Sequence, residues 1–135
     1  MTEQPTHDHS RPPDPPICTD TLLARCLGNG DVALTVLGHL SRQLDTVERD
    51  LCDSNVDAPR LADISHSIRG SAGTVGAGAL LDAASVVETV ARSGAEPVDV
   101  ADLLEEVRRC QRYIESVRRE LSGSHTGSGG THHTE

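Results

Sequence analysis

The sequence contains no Phe, no Trp and no Lys, and Tyr113 is its single aromatic residue. Its 12 basic residues, all Arg, face 21 acidic ones, for a formal net charge of -9. An acidic chain repels phosphate backbones, and bases find almost no ring to stack on, so the composition speaks against nucleic-acid binding. No run of about 18 apolar residues is present, which speaks against a membrane span. The first residues show no charged-then-apolar leader, and the expectation is a soluble, cytoplasmic protein. Cys18, Cys26, Cys52 and Cys110 include no CxxC pair. Their scatter disfavours a structural zinc site, and reduced thiols fit better than a disulfide framework.

What is present is a chain of 135 residues, enough for one domain. Residues 1–16 end in RPPDPP, where proline blocks helix growth, and predict a disordered arm. Residues 122–135, SGSHTGSGGTHHTE, predict a disordered Gly/Ser/His tail. Between them, 17–121 reads as helix throughout. A short segment over 19–27 stops at Gly28-Asn29-Gly30, and Asp31 is the expected N-cap of a helix reaching about 52. That helix carries Val36, Leu37, Leu40, Leu44, Val47 and Leu51 at helical spacing. A third helix is capped by Asp57, with Pro59 in its first turn, and carries Leu61, Ile64, Ile68, Ala72 and Val75. After Gly76-Ala77-Gly78 a fourth carries Leu80, Leu81, Ala84, Val87 and Val90 and ends at Ser93-Gly94. The last starts near Pro97 and runs to Leu121 on Leu103, Leu104, Val107, Cys110, Ile114 and Val117. The expected fold is all-α: an antiparallel up-and-down four-helix bundle, with the short leading helix covering one end.

One residue of the third helix departs from a purely structural pattern. At about 100° per residue, His66 falls roughly 160° from the mean direction of the apolar stripe and projects into water. Gly70 and Gly73 follow it by one and two turns, and Ala62 precedes it by one, on the same outer side. Glycine inside a helix costs about 1 kcal/mol relative to alanine, so two of them beside an exposed imidazole mark a surface stripped of side chains. Arg69 stands at its edge, about 60° from His66. A largely neutral imidazole offers a nucleophilic nitrogen, and a guanidinium neutralises an anion held on it.

The run His66-Ser67-Ile68-Arg69-Gly70-Ser71-Ala72-Gly73, followed by Val75-Gly76-Ala77, resembles the signature of histidine-containing phosphotransfer (HPt) domains. Leu80, Leu81 and Glu88 stand at matching spacings, with Val87 for the usual Leu, and the likeness spans about 17–120. It implies a phosphocarrier that takes a phosphoryl group from a receiver-domain aspartate and passes it to another receiver. His66 would be the phosphorylated nucleophile, Arg69 would steady the phosphoryl oxygens, and Gly70, Gly73 and Ala62 would form the receiver-docking surface. The partners implied are response-regulator receiver domains and a hybrid histidine kinase. No cofactor of its own and no metal are expected, magnesium being carried by the receiver. Arg69 replaces the commoner Lys of the family, and Glu88 stands where some members carry a Gln that orients the histidine. A carboxylate repels a phosphoryl group, which counts against an orienting role for Glu88.

The remaining motifs point elsewhere only weakly. The glycines from Gly70 to Gly78 lack a P-loop ending and follow no strand, so no nucleotide site and no ATP-dependent self-phosphorylation are expected. Ser65, Ser67 and Ser71 surround His66 without a Gly-x-Ser-x-Gly elbow. Arg108, Arg109, Arg112, Arg118 and Arg119 interleave with Glu105, Glu106, Glu115 and Glu120, a pattern of intrahelical ion pairs. His39 reads as an edge or packing residue. The rival readings are a non-transferring adaptor that binds a receiver or kinase through the same surface, and a metal handler using His132 and His133.

Overall fold

The computed structural model describes residues 15–133, and side chains for 15–120. Five helices are found among the described residues, with no strand: α1 Thr19–Arg25, α2 Gly30–Leu51, α3 Ala58–Val75, α4 Gly78–Arg92 and α5 Ala101–His133. The expected arm over 1–16 lies outside the described residues but for its last two. The backbone of α5 continues past Leu121, where the composition predicts a stop. Nothing is described of side chains beyond Glu120, and the expected solvated tail lies outside the described residues to that extent.

Local chemistry sets several of the helix ends. Asp57 accepts a hydrogen bond from the Arg60 backbone N–H at 3.0 Å, with Pro59 in the first turn of α3. The start of α2 differs from expectation. Asn29 is its N-cap, and Oδ1 accepts from the backbone N–H groups of Asp31 and Val32 at 3.0 and 3.1 Å. Asp31 therefore falls in the first turn, where its charge complements the helix dipole. The last helix begins at Ala101 instead of near Pro97, because Asp99 Oδ1 takes the Ala101 N–H at 2.9 Å.

Gly76 closes α3 at φ 69°, in the left-handed region, and a side chain there would meet a neighbour. A Cβ on Gly76 would lie 2.8 Å from Cys18 Cβ and 2.9 Å from Thr21 Cβ. The Cys18 N–H also donates to the Gly76 carbonyl at 3.1 Å. The bare corner between α3 and α4 thus seats the start of α1.

Packing joins α2 to α3, α3 to α4, α4 to α5 and α5 back to α2, a closed ring of four long helices. Helix α1 lies against α2 and α3. The apolar stripes expected from spacing meet inside the ring: Leu44, Ile68, Ala72, Leu80, Ala84, Leu103 and Val107 are fully buried. Among the described residues this core is aliphatic, and alanines at the α3–α4 contact allow the most extensive pairing in the molecule. All four cysteines are free; Cys26 and Cys110 are buried, and burial pushes the Cys110 thiol up to about 11.

Candidate functional site

With Leu61, Ile64, Ile68, Ala72 and Val75 turned into the ring, α3 presents His66 outward. The His66 side chain is 68% exposed, as its angular position requires. The ring is nonetheless held. Glu88 of α4, a nearly buried carboxylate, lies with Oε2 at 3.0 Å from His66 Nδ1. The Arg69 guanidinium donates to Glu88 Oε1 at 2.6 Å, and Arg92 Nε donates to Oε2 at 3.0 Å. The hydrogen bond from Arg69, then those from Arg92 and His66, hold the Glu88 carboxyl at about 2 against its ordinary 4.5, in spite of desolvation.

That ionisation fixes the tautomer. An ionised carboxylate only accepts, so Nδ1 carries the proton, and in the neutral ring the lone pair falls to Nε2. The repulsion expected of Glu88 is overcome in the same stroke. One carboxylate held by two guanidiniums leaves a net positive charge beside the imidazole, which favours an arriving anion. Glu88 is therefore placed as a partner of His66 after all. Arg92 was not anticipated from the sequence, although it sits four residues after Glu88, the spacing at which helical ion pairs form.

The surface around His66 is smooth on one side only. Gly70 lies about 40° from His66 toward solvent, and a Cβ there would touch nothing within 4 Å. Ala62 and Gly73 lie about 40° and 20° to the other side, with Arg69 at about 60°, and that side faces α4. Ala62 is accordingly buried, 1% exposed, and is corrected from a docking-surface residue to a core residue. Gly73 is half-buried; a Cβ would meet Leu81 Cδ1 at 3.7 Å, so it too belongs mainly to the α3–α4 contact.

Gln43 of α2 steadies the opposite flank. Its Nε2 donates to Ser67 Oγ at 3.1 Å, and Ser71 Oγ donates to its Oε1 at 2.6 Å. Nothing in the sequence announces this bridge, since it joins residues 24 and 28 positions apart. Ser65 points inward, fully buried, with its Oγ unpartnered. The serines thus form no triad with His66. His39 is exposed and lies at 2.7 Å from an Arg42 guanidinium nitrogen, an edge residue as expected. Of the last helix's arginines, Arg109 and Arg119 pair within the helix, with Glu106 and Glu115, whereas Arg108 crosses to Glu48 of α2 at 2.8 Å. His132 and His133 lie outside the described side chains. Among the described residues there is no cluster of three His, Cys, Asp or Glu side chains able to hold a metal ion, and no helix is long and apolar enough to cross a membrane.

Comparison with known proteins adds one finding. The family model of the Hpt domain matches residues 31–120, from the first turn of α2 into α5, which includes His66, Arg69, Gly70, Glu88 and Arg92. No curated protein and no solved structure matches the chain.

Proposed function

Because the chain belongs to the Hpt domain family, whose members carry phosphoryl groups in phosphorelays and meet response-regulator receiver domains and kinases, we propose that it is the receiver-to-receiver phosphocarrier of a multistep two-component system, with His66 as the phosphorylated residue. The observation that carries this reading is the imidazole itself: exposed, held through Nδ1 by Glu88, and offering Nε2. In the proposed step the Nε2 lone pair attacks the phosphorus of a receiver's aspartyl phosphate. The P–N bond forms as the P–O bond to the aspartate breaks, and the aspartate leaves as carboxylate. The Nδ1 proton stays in place, and Glu88 balances the positive charge the ring acquires. Arg69 steadies the phosphoryl oxygens through the N–H groups not spent on Glu88. Delivery to a second receiver is the same step reversed, with magnesium held by the receiver and no cofactor supplied by this chain.

Gly70 provides the approach, since a receiver's loops meet no side chain there. The same reading takes the four long helices as an antiparallel up-and-down bundle with α1 across one end, which their short connections support. The working compartment is the cytoplasm, where receivers and kinases meet.

The test is incubation with a receiver phosphorylated on its aspartate. The wild-type chain should gain acid-labile, alkali-stable label, and His66→Gln should gain none. Label that survives the substitution rejects His66. A wild-type chain that binds the receiver and never takes label is an adaptor instead.

A further inference from the structure

On the far side of α4 from His66, a groove of about 590 Å³ runs between α4 and α5. Val86 and Glu88 are two residues apart and hence about 200° around the helix, so the groove and the phosphotransfer site open in different directions. Its floor is apolar, built of Ala83, Val86, Val87, Val90 and Pro97. Val86 is 62% exposed, one of three large apolar side chains so uncovered among the described residues. Among the described residues its rim is acidic: Asp82 on α4, Asp99 just before α5, and Asp102, Glu105 and Glu106 in the first turns of α5.

Glu106 pairs with Arg109 at 2.8 Å, and Glu105 lies in the field of Arg108. Asp99 takes a backbone N–H, and Asp82 and Asp102 line the groove with no ion pair among the described residues. Among the described residues no arginine lines the groove. An apolar trough fenced by carboxylates of one sign selects its occupant on two counts. The floor rewards an apolar ridge, and the rim rewards cations on either side of that ridge. Nucleic acid and anionic lipid carry the wrong charge, and a second copy of a chain with a net charge of -9 meets the same repulsion.

We propose that this groove docks a basic amphipathic helix of a partner protein, apolar face down on Val86 and Val90, with Lys or Arg side chains on Asp82 and Asp102. A phosphocarrier so equipped holds one partner by a surface that leaves the histidine free for another.

The probe is a fluorescent amphipathic helical peptide of Leu and Lys, with a Leu and Glu twin as control, titrated by anisotropy against the full-length chain. The cationic peptide should bind and shift the amide signals of Ala83, Val86 and Val90, and the anionic twin should not bind. Val86→Asp separates docking from bulk attraction. It adds a negative charge, which strengthens any purely Coulombic association, yet it spoils the floor; about tenfold weaker binding is expected. Asp82→Asn combined with Asp102→Asn should weaken binding as well, and both positions are exposed enough for the fold to tolerate the changes. Binding to V86D as tight as to wild type, signals that shift elsewhere, or no binding of the cationic peptide overturns the proposal. So does a wild-type dimer in sedimentation that V86D returns to monomer, since the groove would then belong to a second copy.

Discussion

The Glu88 carboxylate has two tasks that would conflict were it alone. In the proposed transfer it fixes the imidazole through Nδ1, and it must not repel the phosphoryl group that Nε2 would take up. Arg69 and Arg92 reconcile them, because each takes part of the carboxylate's charge while adding a full positive one. Glu88→Ala should therefore slow phosphoryl acceptance by roughly tenfold or more, the worth of one hydrogen bond to a charged group. Glu88→Gln still offers an oxygen to the Nδ1 proton and should retain more activity than the alanine variant. Single-turnover transfer from a phosphorylated receiver measures both, and an alanine variant at the wild-type rate contradicts the orienting role. Gly70 makes the complementary case. Open space around it predicts that Gly70→Ala gains about 1 kcal/mol in stability from helix propensity, read as a rise in denaturation midpoint. Gly70→Gln should fold equally well and slow transfer, because its side chain would stand on the receiver's proposed approach.

At the scale of elements, the apolar stripes and the Asp57 cap were legible because they depend on residues three or four apart. The spacing that places Ile64 and Ile68 inward and His66 outward survives in the fold, since one turn of helix is decided locally. Asn29 and Asp31 show the limit: both are good caps, and only the path of the chain from α1 selects the earlier one. Ala62 shows another. Angular position on an isolated helix gives one buried stripe, but α3 is flanked by α4 along a second face, and the buried arc widens to take in Ala62 and part of Gly73. The Gln43 bridge and the seat of α1 were illegible for a related reason, being contacts between distant parts of the chain. Gly76 gives that seat a test. Gly76→Ala forces a side chain into the left-handed region, at roughly 1–2 kcal/mol, and drives a methyl group into Cys18 and Thr21 of the α1 segment. The melting temperature should fall by more than the backbone strain alone accounts for, and α1 amides should lose protection from exchange first. A variant as stable as wild type would show that α1 does not depend on that corner.

At the scale of the whole molecule, the ring of helices is closed by aliphatic burial, and carboxylates decide how it responds to acid. Two of them are held below their ordinary range on different contacts: Glu88, by Arg69 foremost, across α3 and α4, and Glu48, by Arg108 foremost, across α2 and α5. A carboxyl whose folded value is depressed binds its proton later in the folded chain than in the unfolded one. As pH falls, the unfolded chain takes up protons that the folded chain refuses, and the equilibrium shifts toward unfolding. For Glu88 the stabilisation is complete above about 4.5 and is lost progressively as pH drops toward 2. Urea denaturation at a series of pH values from 7 to 2.5 should show the wild-type midpoint falling across that window. Glu88→Gln should start lower at neutral pH, because Arg69 and Arg92 lose their counter-charge, and then fall less steeply, so that the two curves converge in acid. Parallel curves would mean that the buried carboxylate titrates alike in both states, and the network around His66 would then hold nothing together.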